Sequence, residues 1–239
     1  MILHIPHSST LLPDTFRVSE GVSLEKEFQR MTDWYTDELF DCDSAQRLVF
    51  PYSRLYCDVE RFREDEDEPM AAKGMGVCYT RSSFGEKLRE VDAGERSFVT
   101  STLYDPHHQR LTDYVTQELE SKSTALIVDC HSFSDEVLPH EESEVRPDIC
   151  IGTDSFHTPS EFISDVYRFL TDLGYEVVLN QPFAGTIVPL RYYGKDRRVR
   201  SIMIEINRKL YLDDAFAKNE YFGRVQHHIT KLLKRIEIF

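Results

Sequence analysis

Seven short apolar runs are spread along the whole chain with helical periods between them, and this alternation restricts the fold more than any other feature. The runs are ILHI at 2–5, RLVF at 47–50, RLYCDV at 54–59, ALIVD at 125–129, DICIG at 148–152, YEVVLN at 175–180 and SIMIEI at 201–206, and each is expected to be a strand. Between them Leu24, Phe28, Met31, Tyr35 and Leu39 recur at steps of three and four, as do Leu111, Tyr114, Val115 and Leu119; the same period runs over 162–173 and 222–236. TPSE at 158–161 has capping-box spacing, with Thr158 as N-cap and Pro159 at the first helical position, and Gly174 ends that helix. Strands alternating with helices give a layered α/β fold, a mixed sheet covered on both faces. At 239 residues, 41% of them hydrophobic, the chain is expected to form a single domain over 1–239. The acid-rich segment 61–76 reads as a surface loop or lid, and 181–200, with two prolines and two glycines, as a second long connection.

A formal charge of −14, from 42 acidic and 28 basic residues, argues against nucleic acid and anionic membranes as partners and favours a small molecule. The five cysteines form no C-x-x-C pair and read as reduced thiols in cytoplasm. The start MILHIPHSS lacks the basic and apolar regions of a signal peptide, and no apolar run is long enough to span a bilayer.

Three of the expected strands deliver titratable groups. HIPHSS ends on His7, IVDCHSFS reaches His131, and IMIEINR sets Glu205 inside an apolar run. Ligands of open α/β sheets bind outside the carboxyl ends of the strands, so these groups are expected to converge there. A lone histidine in such a place is usually a hydrogen-bonded structural residue; two strand-terminal histidines and a buried glutamate together favour a metal, and suit zinc with one open water position. Asp129 shares a strand face with His131 and is positioned to orient that ring, or to make a purely structural bond. Ser8, Ser9 and Ser132 carry no Gly-x-Ser-x-Gly elbow and read as turn caps.

DCHSFS followed by IEINR is similar to the metallocarboxypeptidase arrangement of a strand-end histidine and a later catalytic glutamate. More closely, HIPHSS, TDWYTDELFD, SRLYCDVERF, KGMGVCYTR, DPHHQRL, VDCHSFS, DICIG and IEINRKLYLD, in that order over nearly the whole chain, resemble the N-formylglutamate amidohydrolase family. The resemblance implies a three-layer α/β/α fold of the zinc-exopeptidase kind, one Zn2+ held by His7, His131 and an acid, and Glu205 as general base. Position 10 is Thr10, where carboxypeptidases place the acidic ligand, so the acid is sought in TDWYTD. On one continuous helix Asp33 and Asp37 both face solvent; if a new helix starts at Thr32, Asp33 reaches the metal, and Asp37 lies behind it. Arg54, Asp58, Arg61, Arg191, Asn207 and Arg208 are the candidates for holding an acyl amino acid, with Arg61 and then Arg191 as the carboxylate clamp. Taken singly, each arginine is better explained by pairing with a surface acid. His108, or His107 beside it, matches a family histidine at a helix start. Relatives often read Asp-x-Asn-Arg where this chain has Asp58, Val59, Glu60 and Arg61, and the added acid opposes a dicarboxylate. The implied reaction is cleavage of N-formyl-L-glutamate to formate and glutamate, a step of histidine degradation. The rival readings are another N-acyl amino acid or peptide amide, and an inactive binding protein of the same fold.

Overall fold

The structure is a computed structural model that describes residues 1–239 except His140, Glu142 and Phe239. Six strands, β1 (Ile2–Ile5), β2 (Gln46–Val49), β3 (Ala125–Phe133), β4 (Ile149–Gly152), β5 (Val177–Leu179) and β6 (Val199–Asn207), form one sheet in the order β2-β1-β3-β6-β4-β5. β2, β1, β3 and β6 run parallel, β4 is antiparallel to β6, and β5 is parallel to β4, so the sheet is mixed as expected.

Because strand side chains alternate, each central strand feeds two cores. Leu3, Ile5, Leu126, Val128, Ile202 and Ile204 pack against α5 (Ser160–Asp172) and α6 (Phe222–Ile236) through Phe162, Val166, Ile229 and Leu232. The opposite row, Ile2, Ala125, Ile127 and Val199, packs on Leu111 and Val115 of α4 (Asp105–Lys122). That second row continues as His4 on β1, Asp129 and His131 on β3, and Met203 and Glu205 on β6. It therefore changes from apolar to titratable toward the carboxyl ends of the strands, where the first turn of α4 gives way to a cleft.

The run 54–59 is not a strand. Tyr56 and Cys57 both donate their N–H to the carbonyl of Ser53, and Leu55, Tyr56, Cys57 and Val59 are buried in a separate cluster with Met75, Val77, Tyr79, Leu88 and Val99. A short apolar run satisfies a buried turn as well as a strand, which periodicity alone does not separate. This cluster also holds α3 (Ala93–Val99), which continues through a π-helical turn at Thr100–Tyr104 into α4. The acid-rich 61–76 segment includes a 3-10 helix at Pro69–Lys73, capped by the Glu68 carboxylate on the N–H of Met70.

The periodic stretch from Leu24 to Leu39 is two helices, α1 (Leu24–Met31) and α2 (Thr36–Leu39). Thr32 is extended, Tyr35 takes a left-handed backbone at φ 59°, and the N–H of Asp33 donates to the carbonyl of His7 at 3.0 Å. Thr158 is not the N-cap of α5. Its hydroxyl donates to the Ser201 carbonyl at 2.7 Å and accepts from the Asp154 N–H, leaving Pro159 at the cap, while Gly174 closes the far end at φ +90°.

Gly152, at the end of β4, supports the 181–191 loop. A Cβ there would stand 2.3 Å from the Gly185 carbonyl and 2.4 Å from the Met203 side chain. Gly152→Ala is expected to destabilise the fold by about 1–3 kcal/mol, as overpacking does, and to move that loop; a melting temperature equal to that of the wild type would show that the loop yields freely.

Candidate active site

His7 follows β1 by two residues, and His131 and Glu205 are register partners on β3 and β6. All three are buried and face one cleft of about 1230 Å³ at the carboxyl ends of the parallel strands. The break between α1 and α2 brings Asp33 to the same place, and the turn after Asp58 brings Glu60.

Each imidazole has one nitrogen tied to a buried aspartate. His7 donates from Nε2 to Asp58 Oδ1 at 2.9 Å, and His131 Nδ1 lies 2.9 Å from Asp33 Oδ2. With those N–H groups assigned to the carboxylates, His7 Nδ1 and His131 Nε2 are left, both buried and neither hydrogen-bonded among the described residues. Both face Glu60 Oε2, at 3.7 and 3.1 Å. His7, Glu60 and His131 thus offer three ligand atoms within 4.8 Å of one another. Asp33 Oδ2 also approaches His7 Nδ1, at 3.6 Å. Orphaned imidazole nitrogens beside a carboxylate suit a divalent cation.

The electrostatics follow from burial and this pairing. Burial pushes the Glu205 carboxyl up to about 8; Asp33 and Glu60 add to the shift, His131 opposes it, and Oε2 has no hydrogen-bond partner among the described residues. For His131 burial favours the neutral ring, yet Glu60 and Asp129 outweigh it and raise the imidazole well above its usual range. Burial alone would raise Asp33 and Asp129, but hydrogen bonds and charge from His131, with His7 and His4 respectively, bring both below the ordinary carboxylate value. Asp58 is also lowered, because Arg54, Arg61 and His7 outweigh its burial.

Asp129 shares the face of His131, with Oδ1 3.1 Å from His131 Nε2 and 2.7 Å from His4 Nδ1. His108 lines the cleft and donates from Nε2 to the carbonyl of Val59, steadying the 58–61 turn, and burial lowers it to about 4. His107 points elsewhere, its Nε2 2.9 Å from His4 Nε2.

Arg54, Arg61, Arg191 and Arg208 line the cleft. Arg54 gives two bonds to Asp58 Oδ2, and Arg61 lies 3.6 Å from the same oxygen while donating to the Met75 carbonyl and the Tyr79 hydroxyl. Two guanidinium groups therefore share one carboxylate, which leaves a positive surplus at the wall. Arg191 is exposed, stacked 5.4 Å from the Tyr192 ring centroid. Three expected contacts lie elsewhere. Asp58 is fully buried, and its oxygens are taken by His7, Arg54, Tyr79 and the Glu60 N–H. Asn207 is also fully buried, donating to Asp135 and the Pro147 carbonyl, so neither touches the cleft. Asp37 sits on α2 outside the cleft, its carbonyl bonded to Arg47, because α2 turns that face away. His4 and the histidine-facing place of Glu60 were not anticipated; the period-two row through His4 was the signal available for the first.

A mixed sheet with histidines and carboxylates gathered beyond the ends of its central strands is the framework of a hydrolytic enzyme. The family model for N-formylglutamate amidohydrolase matches residues 1–212, and the chain belongs to that family of amide-bond hydrolases. No curated protein matches it significantly in sequence. Its fold is shared with an N-formylglutamate amidohydrolase of Ralstonia eutropha, at a TM-score of 0.83 and 22% identity over 99% of this chain and 92% of that one. It is shared also with a gene product of Agrobacterium tumefaciens, at a TM-score of 0.70 and 20% identity over 99% and 91%.

Arg208 holds the approach of Asp33 to the site. Its Nη1 donates to the carbonyls of Gln29 and Thr32, and its Nη2 to that of Arg30, all at 2.8–3.0 Å. Arg208→Met is expected to cost about 2–3 kcal/mol, the scale of losing charged hydrogen bonds in a buried place, read as a lower urea midpoint; an unchanged midpoint would show that the helix end stands without it.

Proposed function

We propose that the protein is a divalent-metal amidohydrolase that removes a small acyl group from an N-acyl amino acid, with N-formyl-L-glutamate as the favoured substrate. The observation that carries this reading is the pair of buried, unpartnered nitrogens, His7 Nδ1 and His131 Nε2, that face one carboxylate oxygen of Glu60. In this reading His7, His131 and Glu60 hold the ion. Asp33, the acid expected from the sequence, keeps a place at the same site by fixing the tautomer of His131 while lying 3.6 Å from His7 Nδ1. Zinc suits two imidazoles and a carboxylate, and when bound it supplies a Lewis acid for the amide carbonyl and lowers the pKa of water.

The chain's own groups supply the rest. Glu205 Oε2, buried and without a hydrogen-bond partner among the described residues, acts in its ionised form, taking a proton from the attacking water and returning it to the amine nitrogen as the C–N bond breaks. The positive surplus of Arg54 and Arg61 over Asp58 and the exposed head of Arg191 receive the two carboxylates of the amino acid. Glu60 does not stand against that dicarboxylate, because its Oε2 is turned to the histidines. The products are formate and glutamate, which fits histidine degradation, and five unpaired buried cysteines fit the cytoplasm.

Metal analysis tests the site. Wild type is expected to retain zinc, Glu60→Gln to lose it, and Asp33→Asn to bind about 10- to 100-fold more weakly, as loss of an orienting partner does; full occupancy in Glu60→Gln would transfer the ligand role to Asp33. Glu205→Gln should keep fold and metal and lose about a hundredfold or more in turnover, whereas near-normal turnover would make Glu205 structural. Arg191→Met should raise the Michaelis constant for formylglutamate about tenfold or more and spare uncharged formyl amino acids, and equal loss on both would remove Arg191 from the clamp.

A further inference from the structure

We infer a second divalent-cation site, formed by His4 Nδ1, Asp129 Oδ1 and Glu60 Oε1, that shares the Glu60 carboxylate with the proposed catalytic ion. The inference rests on the reading of His7, His131 and Glu60 as a cation site and extends it. His4 and Asp129 are register partners on the neighbouring strands β1 and β3, which fixes both side chains on the cleft face. His4 Nδ1 lies 2.7 Å from Asp129 Oδ1 and 3.5 Å from Glu60 Oε1, and the three groups offer ligand atoms within 4.8 Å of one another. The two oxygens of Glu60 thus face different clusters, Oε1 toward His4 and Oε2 toward His7 and His131. That is the geometry of a bridging carboxylate. The other nitrogen of His4, Nε2, is held by His107 Nε2 at 2.9 Å, which fixes the orientation of the ring.

A separate observation points to positive charge between the clusters. His131 Nε2 is buried and has no partner in hydrogen-bond geometry among the described residues, with Glu60 Oε2 and Asp129 Oδ1 both 3.1 Å away. This nitrogen and the two carboxylate oxygens enclose a space that requires positive charge, supplied by a proton on the ring or by a cation that displaces it. Two ions bridged by Glu60 more than offset the charge of Asp33, Glu60 and Asp129 together. Such pairs stand about 3.5–4 Å apart in two-metal hydrolases, and one imidazole with two carboxylates accepts Zn2+ or Mn2+.

The test uses the full chain stripped with chelator, reloaded with zinc chloride or manganese chloride, and measured by elemental analysis and electron paramagnetic resonance. Wild type is expected to hold about two ions per chain and, with manganese, to show an exchange-coupled spectrum, the mark of two ions at bridging distance. His4→Gln should retain about one and give an isolated-ion spectrum. One ion per wild-type chain at saturation overturns the second site and leaves the catalytic one standing; none overturns both. Two ions without exchange coupling, or two retained by His4→Gln, overturn the assignment to His4. If His4→Gln fails to fold, the stoichiometry and coupling of the wild type decide.

Discussion

One carboxylate sets the geometry of the cleft. Asp58, removed from water, receives His7 on one oxygen together with the Glu60 N–H, and Arg54 and Tyr79 on the other. A buried carboxylate is costly unless its lone pairs are filled, and here four donors fill them. The arrangement fixes the tautomer of His7, pins the turn that carries Glu60, and holds Arg54 and Arg61 at the wall. Three features of the candidate site therefore fail together if this anion is lost. The second cluster, most of it from residues 50–104 with Phe16, Met31 and Leu138, contains Cys57 and Val59 on either side of that anion.

The sheet was legible in the sequence because its strands are short, apolar and regularly spaced, and because His7, His131 and Glu205 sit at the ends or within such runs. What was not legible depends on contacts distant in sequence. The run 54–59 has the composition of a strand, but Leu55, Cys57 and Val59 are buried against segments up to Val99, and that burial holds it as a turn. The division of 24–39 into two helices is enforced from outside by Arg208, which binds the last carbonyls of α1, and by the bond from Asp33 N–H to His7. No local pattern records either partner. Thr158 likewise carries the signature of a cap, and a competing carbonyl on β6 claims its hydroxyl.

Membership of the amidohydrolase family and the geometry of the cleft bear on different questions. The family match identifies amide hydrolysis; the distances among His4, His7, Glu60, Asp129 and His131 describe how this chain arranges charge around the candidate site. Glu60 connects the two. Read in sequence it is an acid that opposes a dicarboxylate, and in the fold it faces the histidines.

The parallel register of β3 on β6 sets His131 beside Glu205 and, one position earlier, Cys130 beside Ile204. A slip of one residue would turn Glu205 toward α5 and α6 and place Ile204 or Ile206 in the cleft. The misfolded sheet would then carry a buried unpaired charge as well as an unusable centre. Correct assembly and chemical competence are read from the same ladder of backbone bonds, so a chain that has reached its stable state has also passed the inspection its chemistry requires.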